Sequence, residues 1–467
     1  MIAREGALQA PASAPSRAPR GSFAREAVIS LASQVMAQAL TFGTAFVMPR
    51  IMPPNVKGPA DLITNLPLAL IVFGNLGLPT AMVYSRRSER DLDRVASTVL
   101  TVGLTVGSLT AGIAALFLPG YFAGHRDRVI DPWQVGLILA IAPLQLSTSY
   151  LNTTQLLAGR IIGFNVIQVL PIVVFVAAFF GAYFAVGPEH FRVHGEDFVS
   201  ALVWANVAKW TVTATVAVAL VRRLATFRPM VDWGYLKEAL AFGLRPYVRD
   251  VFQFLTLMST FYLLNAYRFA DDELGWYSMA LTGQLVIWQV PEALHMVFAN
   301  RIAESTPAER KRFTPLVCRN VFFATILIAA TVAIAAQVIL PFWAPKYVPA
   351  LPALRILMAG SVVFTLFKVL QSDLLGRGET NRVAAYSACA FGLLVTLTVV
   401  IVGVLGHRSI EIAAVCSAAA SATVGIAVVL HYCRVSGNPL TSVLLPQRED
   451  LDYWRAFGRR LKARLAR

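Results

Sequence analysis

Residues 237–277 read KEALAFGLRPYVRDVFQFLTLMSTFYLLNAYRFADDELGWY, and the fold class follows from them. Residues 240–264 are apolar and long enough to cross a bilayer, which takes about 20 such residues. Yet Arg245, Arg249 and Asp250 lie well inside this run. At about 1.5 Å of rise per residue, Arg249 sits roughly 18 Å along the helix from Lys237, too deep to reach a surface readily. A charge at such depth costs at least about 2.5–3.5 kcal/mol, so it is expected to face a polar cavity or a partner. Arg245, Arg249, Gln253, Thr256 and Thr260 recur at helical steps and share one face. Pro246 removes a backbone donor beside the first arginine and predicts a kink. The competing reading is an Arg249–Asp250 pair buried for packing alone. Adjacent residues point to different faces and two arginines share one acid, which disfavours it.

The rest of the chain is of the same kind. Of 467 residues, 57% are hydrophobic and only 14% charged, with a mean hydropathy of +0.61. Soluble domains carry about a quarter charged residues, so the chain is expected to be an all-α polytopic membrane protein. The net charge of +15 does not imply nucleic acid, because the basic residues gather at span ends rather than on one soluble face. Cys318, Cys389, Cys416 and Cys433 all fall in apolar runs without metal or redox spacing.

Residues 1–24 are rich in Ala, Pro, Ser and Arg and read as a disordered cytoplasmic tail. The apolar stretch after them is of full span length and lacks an obvious cleavage site, so it is not read as a signal peptide. Twelve spans are predicted near 26–49, 60–84, 95–118, 133–157, 163–187, 198–221, 238–264, 275–299, 316–342, 348–375, 383–405 and 410–433. With a cytoplasmic amino terminus, 27 of the 41 Lys and Arg residues fall on the cytoplasmic side and 9 on the external side. The remaining 5 (Lys209, Arg245, Arg249, Arg319 and Lys368) lie inside spans. This excess predicts that both termini are cytoplasmic. In the last twenty residues, REDLDYWRAFGRRLKARLAR, Leu451, Trp454, Phe457, Leu461 and Leu465 alternate with basic residues. That pattern predicts an amphipathic helix on the anionic lipids of the inner leaflet.

An internal repeat organises the spans. Arg50 and Arg268 close the first and seventh spans, with Gly58 and Gly275 soon after. Leu118-Pro119-Gly120-Tyr121 ends the third and Leu340-Pro341-Phe342-Trp343 the ninth. Leu156-Leu157-Ala158-Gly159-Arg160 ends the fourth and Leu374-Leu375-Gly376-Arg377 the tenth. Basic clusters follow the second span (Arg86, Arg87, Arg90, Arg94) and the eighth (Arg301, Arg310, Lys311, Arg312). Matches at a nearly constant offset predict two six-helix halves, residues 25–222 and 237–435, joined by a cytoplasmic linker at 223–236 and followed by the basic tail at 436–467. Six is even, so the repeat is parallel.

Asn75-Leu76-Gly77-Leu78-Pro79-Thr80, Gly243-Leu244 before Pro246, and Glu273-Leu274-Gly275-Trp276-Tyr277-Ser278, with the first span through Gly58, resemble the polysaccharide-transporter branch of the multidrug, oligosaccharidyl-lipid and polysaccharide exporter superfamily. The resemblance covers roughly residues 25–435. It implies two helical lobes around a central cavity, alternating access in a bacterial cytoplasmic membrane, and a polyprenyl-diphosphate-linked oligosaccharide as cargo. Polysaccharide polymerase or glycosyltransferases are the partners it implies. The chain departs from the family's pattern at Ala60, where an aromatic is usual, and at Arg245, which interrupts a glycine-leucine-proline. It also lacks an acid late in the seventh span.

Other polar residues extend the candidate site. Gln284, Trp288, Glu292 and His295 share a face of the eighth span. Glu292 and His295 suit a proton relay or a gate, with Asp250 as a further gating acid; a packing hydrogen bond is the plainer alternative. Lys209 is mid-span in the sixth, and Lys368 lies about two turns from the cytoplasmic end of the tenth, where it could instead snorkel. Gln34, Gln38 and Thr41 stripe the first span, and Gln145, Ser149 and Asn152 the fourth; such stripes commonly join helices. The expected substrate contacts are Arg245, Arg249, Lys209, Lys368 and Gln38. Asp373, four residues from Arg377, reads as its surface partner. There is no catalytic motif, nucleotide loop or metal-ligand spacing, so neither an enzyme nor a cofactor is expected. The alternatives are a cation-coupled multidrug-type exporter, which favours intramembrane acids, and a glycosyl-polymerase or ligase, which needs a larger external segment.

Overall fold

The computed structural model describes residues 20–84, 92–123, 130–448 and 450. The expected amphipathic helix over 451–467 and the cluster at Arg86, Arg87 and Arg90 lie outside the described residues, as does most of the amino-terminal tail. The helices are α1 (Arg20–Ile51), α2 (Pro54–Thr64), α3 (Leu66–Gly74), α4 (Leu78–Tyr84), α5 (Leu92–Ala123), α6 (Pro132–Ala140), α7 (Ala142–Leu157), α8 (Ile161–Val186), α9 (Pro188–Val193) and α10 (Gly195–Arg222) in the first half. In the second half they are α11 (Trp233–Ala266), α12 (Asp271–Glu304), α13 (Pro307–Trp343), α14 (Leu351–Gly376), α15 (Thr380–Thr398), α16 (Ile410–Ser436) and the short α17 (Leu440–Leu444). Among the described residues, nine helical runs are long and apolar enough to cross a membrane. Neither α11 nor α12 is among these; in α11, Arg245, Arg249 and Asp250 interrupt the apolar run.

The layout is the twelve-span, two-repeat one. α1 packs on α8 as α11 packs on α15, α5 on α7 as α13 on α14, and α8 on α10 as α15 on α16. Local sequence explains the helix ends. A capping box of Thr306 and Glu309 opens α13, Asp232 accepts from the Tyr235 amide at α11 (2.9 Å), and left-handed Gly437 closes α16.

Several boundaries differ from expectation. α1 starts at Arg20, inside the segment read as tail. The second span begins at Pro54 and is three helices, broken at Asn65 and again where Leu76 (φ 49) and Gly77 (φ 70) turn left-handed. The fourth divides at Ile141, two residues before Pro143, which has no amide to donate. α11, by contrast, runs through Pro246 as one helix.

Two glycine contacts join the halves. A Cβ on Gly58 of α2 would lie 2.7 Å from the Gly275 nitrogen of α12. A Cβ on Gly243 of α11 would lie 2.5 Å from the Gly77 carbonyl oxygen. Only glycine admits backbones this close. The first contact is at the end remote from the chain termini, called here the far end; the second is towards the near end.

Candidate functional site

The polar face of α11 turns towards α14, within the second half. Gln253, 8% exposed, donates Nε2 to Gln371 Oε1 (2.7 Å) and accepts at Oε1 from Lys368 Nζ (2.8 Å). The Lys368 ammonium also lies 5.1 Å from the Trp288 ring centroid of α12. An amide oxygen and an aromatic face are what a cation needs where water is scarce. Trp288 is held in turn by stacking on Phe364 (5.0 Å) and by donating Nε1 to Ser361 Oγ (3.2 Å). On the next residue of α12, Gln289 accepts from Gln38 of α1 (3.2 Å), a separate polar contact between the first and eighth spans.

Arg249 lies one turn before Gln253 on α11. Its Nη2 is 2.6 Å from Asp250 Oδ1 and its Nε donates to the same oxygen at 2.8 Å. Adjacent side chains do leave the helix in different directions, but the long arginine folds back and closes the pair. Its side chain is 14% exposed and that of Asp250 45%, so the acid faces the more open space. Arg245, a further turn away, is exposed and has no acid partner among the described residues. The side chains of Glu292 and His295 lie outside the described residues.

Lys209 stands apart, in the first half. Its ammonium sits between the rings of Phe175 (5.6 Å) and Trp210 (5.0 Å). The Gln145 amide lies within 3.1 Å of the Pro67 carbonyl oxygen and 2.6 Å of Trp210 Nε1, as a residue joining helices should. Asp373 is Arg377's partner, with Nε 2.6 Å from Oδ2, but it is not at the surface. It is fully buried, and Thr314 donates to its other oxygen (3.3 Å). Arg319 is likewise buried, gripping Asp450 through Nε and Nη2, both at 2.9 Å.

One polar cluster between the halves escaped sequence reasoning. Lys57, 6% exposed, pairs with Asp61 across one turn of α2 and donates to Ser278 Oγ of α12 (2.9 Å). Ser278 donates in turn to Asp61. This ionic knot ties the two halves beside the Gly58–Gly275 crossing. Around it, Arg50 donates to the Trp343 carbonyl (3.1 Å), Phe46 stacks on Trp343 (4.9 Å), and Tyr347 donates to the Met52 carbonyl (2.9 Å). The signal available was the four-residue Lys57–Asp61 spacing next to Gly58.

Among the described residues one group has metal-ligand geometry. His190, His194 and Asp197 bring their ligand atoms within 4.8 Å of one another on the connection between α8 and α10. The signal was local, since the three stand four and three residues apart, and it corrects the expectation that the chain has no metal-ligand spacing. His190 Nε2 is already hydrogen-bonded to Asp197 at 2.6 Å, and both histidines are exposed.

No protein-family model matches the sequence. A search of curated proteins found no match either. Solved structures do match. An inward-facing multidrug resistance MATE transporter of the MOP superfamily aligns with a TM-score of 0.65 at 13% identity, over 87% of this chain and 98% of its own. The lipid II flippase MurJ in an inward closed conformation gives 0.66 at 10% identity, over 89% of each chain. An outward-facing MATE transporter gives 0.56 at 13% identity, over 89% of this chain and 95% of its own. The chain thus has the fold of the MATE and MurJ transporters of the multidrug/oligosaccharidyl-lipid/polysaccharide exporter superfamily, the superfamily to which its sequence motifs pointed.

Proposed function

We propose that the protein is a flippase that moves a polyprenyl-diphosphate-linked oligosaccharide across a bacterial cytoplasmic membrane by alternating access, for cell-surface polysaccharide assembly. The observation that carries this is the basic character of the deep polar groups on α11 and α14. Lys368 and Arg249 lie along α14 and α11, with Asp250 the acid paired to Arg249. Arginine and lysine in a poorly hydrated site suit an anion, and a guanidinium holds phosphate oxygens in pairs. Asp250 occupies Arg249 while no cargo is bound, which weakens the resting site enough to allow release. The closer overlay on the inward-facing than on the outward-facing MATE transporter, 0.65 against 0.56, supports a resting state closed at the far end by the Lys57–Asp61–Ser278 knot. On this reading the far end is external and both termini are cytoplasmic.

The second reading, a cation-coupled multidrug-type exporter, draws on the MATE likeness alone. Its cargo would meet Trp288, whose face Lys368 already covers. The test is reconstitution in proteoliposomes with two cargoes, a fluorescent polyprenyl-diphosphate oligosaccharide and the cation ethidium. Movement of the first and not the second is expected. Ethidium transport alone would overturn the proposal.

A further inference from the structure

The fourth and tenth spans end alike, in Gln155-Leu156-Leu157-Ala158-Gly159-Arg160 and Asp373-Leu374-Leu375-Gly376-Arg377. In the second half the acid answers the arginine: buried Asp373 holds Arg377 at 2.6 Å. Counted back from the left-handed glycines Gly159 and Gly378, Thr154 takes the acid's place in the first half, and the residue after it is Gln155. Gln155 is 2% exposed, and its Nε2 has no acceptor among the described residues. Arg160, at the amino-terminal cap of α8 as Glu379 is at that of α15, has no acid partner among the described residues.

A cavity of about 440 Å³ lies at this point, walled by Gln155, Arg160, Ile162, Gly163 and Arg223 among others. Arg223, at the carboxy-terminal cap of α10, is exposed and also without an acid partner among the described residues. The first turn of the 26-residue α8 forms another wall. Its cap residue Arg160 makes no side-chain cap bond, and the backbone bonds of the helix begin with the Phe164 amide on the Arg160 carbonyl (3.0 Å). The amides of Ile161, Ile162 and Gly163 have no acceptor within the helix, and the helix dipole adds partial positive charge. A Cβ on Gly163 would lie 2.6 Å from Gln155 Oε1, so glycine leaves the amide its place in the wall.

We infer that this cavity binds a phosphate-bearing anion, held between Arg160, Arg223, the first amides of α8 and the unpaired Gln155 Nε2. Two guanidinium groups, three helix-end amides and the Gln155 Nε2 make donors the main polar groups of its wall. The phosphate comes either from an anionic lipid headgroup at the membrane surface or from a free phosphate in solution. The site lies in the opposite half from Arg249 and Lys368, so it stands whether or not the proposed cargo is right.

Two arms distinguish the sources. In the first, inorganic pyrophosphate is titrated calorimetrically into the delipidated full chain in detergent. In the second, the chain is released from nanodiscs of mixed phosphatidylglycerol and phosphatidylcholine, and retained lipid is counted by native mass spectrometry. Binding is expected in at least one arm, and which arm identifies the source. Gln155→Asp, which puts a carboxylate into the wall in place of the donor, should repel the anion and lower binding about tenfold or more, as should Arg160→Gln with Arg223→Gln. The double arginine variant removes only exposed charges, so it remains informative if Gln155→Asp misfolds. No binding in either arm, or parent-like binding by both variants, overturns the inference.

Discussion

Gly58 and Gly275 meet backbone to backbone where α2 crosses α12, so closely that a Cβ on Gly58 would lie 2.7 Å from the Gly275 nitrogen. The crossing brings Lys57 and Asp61 onto Ser278 and joins the halves at the far end. Any motion that opens this end must separate the two glycines.

Gly58→Leu or Gly275→Leu should therefore hold the far end apart. Overpacking of this kind costs about 1–3 kcal/mol. A cysteine at Lys57 or Ser278 should react faster with a membrane-impermeant thiol reagent in these variants than in an otherwise unaltered chain. Equal labelling would mean that the crossing does not act as a gate.

Breaking the ionic knot from one side should cost more than removing it whole. Asp61→Asn leaves Lys57 buried without its counter-charge, a loss of about 3–5 kcal/mol. The double variant Lys57→Met with Asp61→Leu should melt nearer the parent in detergent. A double variant less stable than Asp61→Asn would mean that the pair is net stabilising.

Losing one charge-assisted contact costs about 1.5–3 kcal/mol, so Arg249→Ala or Lys368→Met should weaken binding of a polyprenyl-diphosphate sugar roughly ten- to a hundredfold. Arg249→Lys keeps the charge but not the fork and should fall between parent and alanine. Asp250→Asn frees Arg249 and should tighten binding while slowing release. Parent-like transport by both Arg249→Ala and Lys368→Met would make these cations structural.

Arg319 and Asp450 anchor the segment after α16 onto α13 through two bonds of 2.9 Å. Arg319→Ala should release it, with cleavage between Gln447 and Asp450 appearing under limited proteolysis. Unchanged resistance would show that α17 holds the segment by itself.

Reporter fusions should place both termini in the cytoplasm and count twelve crossings, as the excess of basic residues requires. An external carboxy terminus would contradict the parallel repeat.

How much was legible follows from what is local. The number of spans and the repeat could be read because length, apolarity and the offset between like segments are properties of the chain itself. The polar positions of the seventh, eighth and tenth spans could be marked as costly for the same reason. A stripe on one helix states that it needs a partner without naming it. Thus Gln253 was placed on the polar face of α11, while its bonds to Gln371 and Lys368 depend on how α14 is rotated against it.

By itself, the sequence determined that this chain is a twelve-span bundle of two like halves, with charges buried at particular depths. The tertiary structure alone decided which charges are answered. Lys57 reads as a loop lysine until α12 brings Ser278 to it from 221 residues away. Asp373 reads as a surface acid until Thr314 and the surrounding helices enclose it. The reason is physical: apolarity and period act within one helix, whereas the fate of a buried charge depends on the few groups that remote helices bring within hydrogen-bond reach.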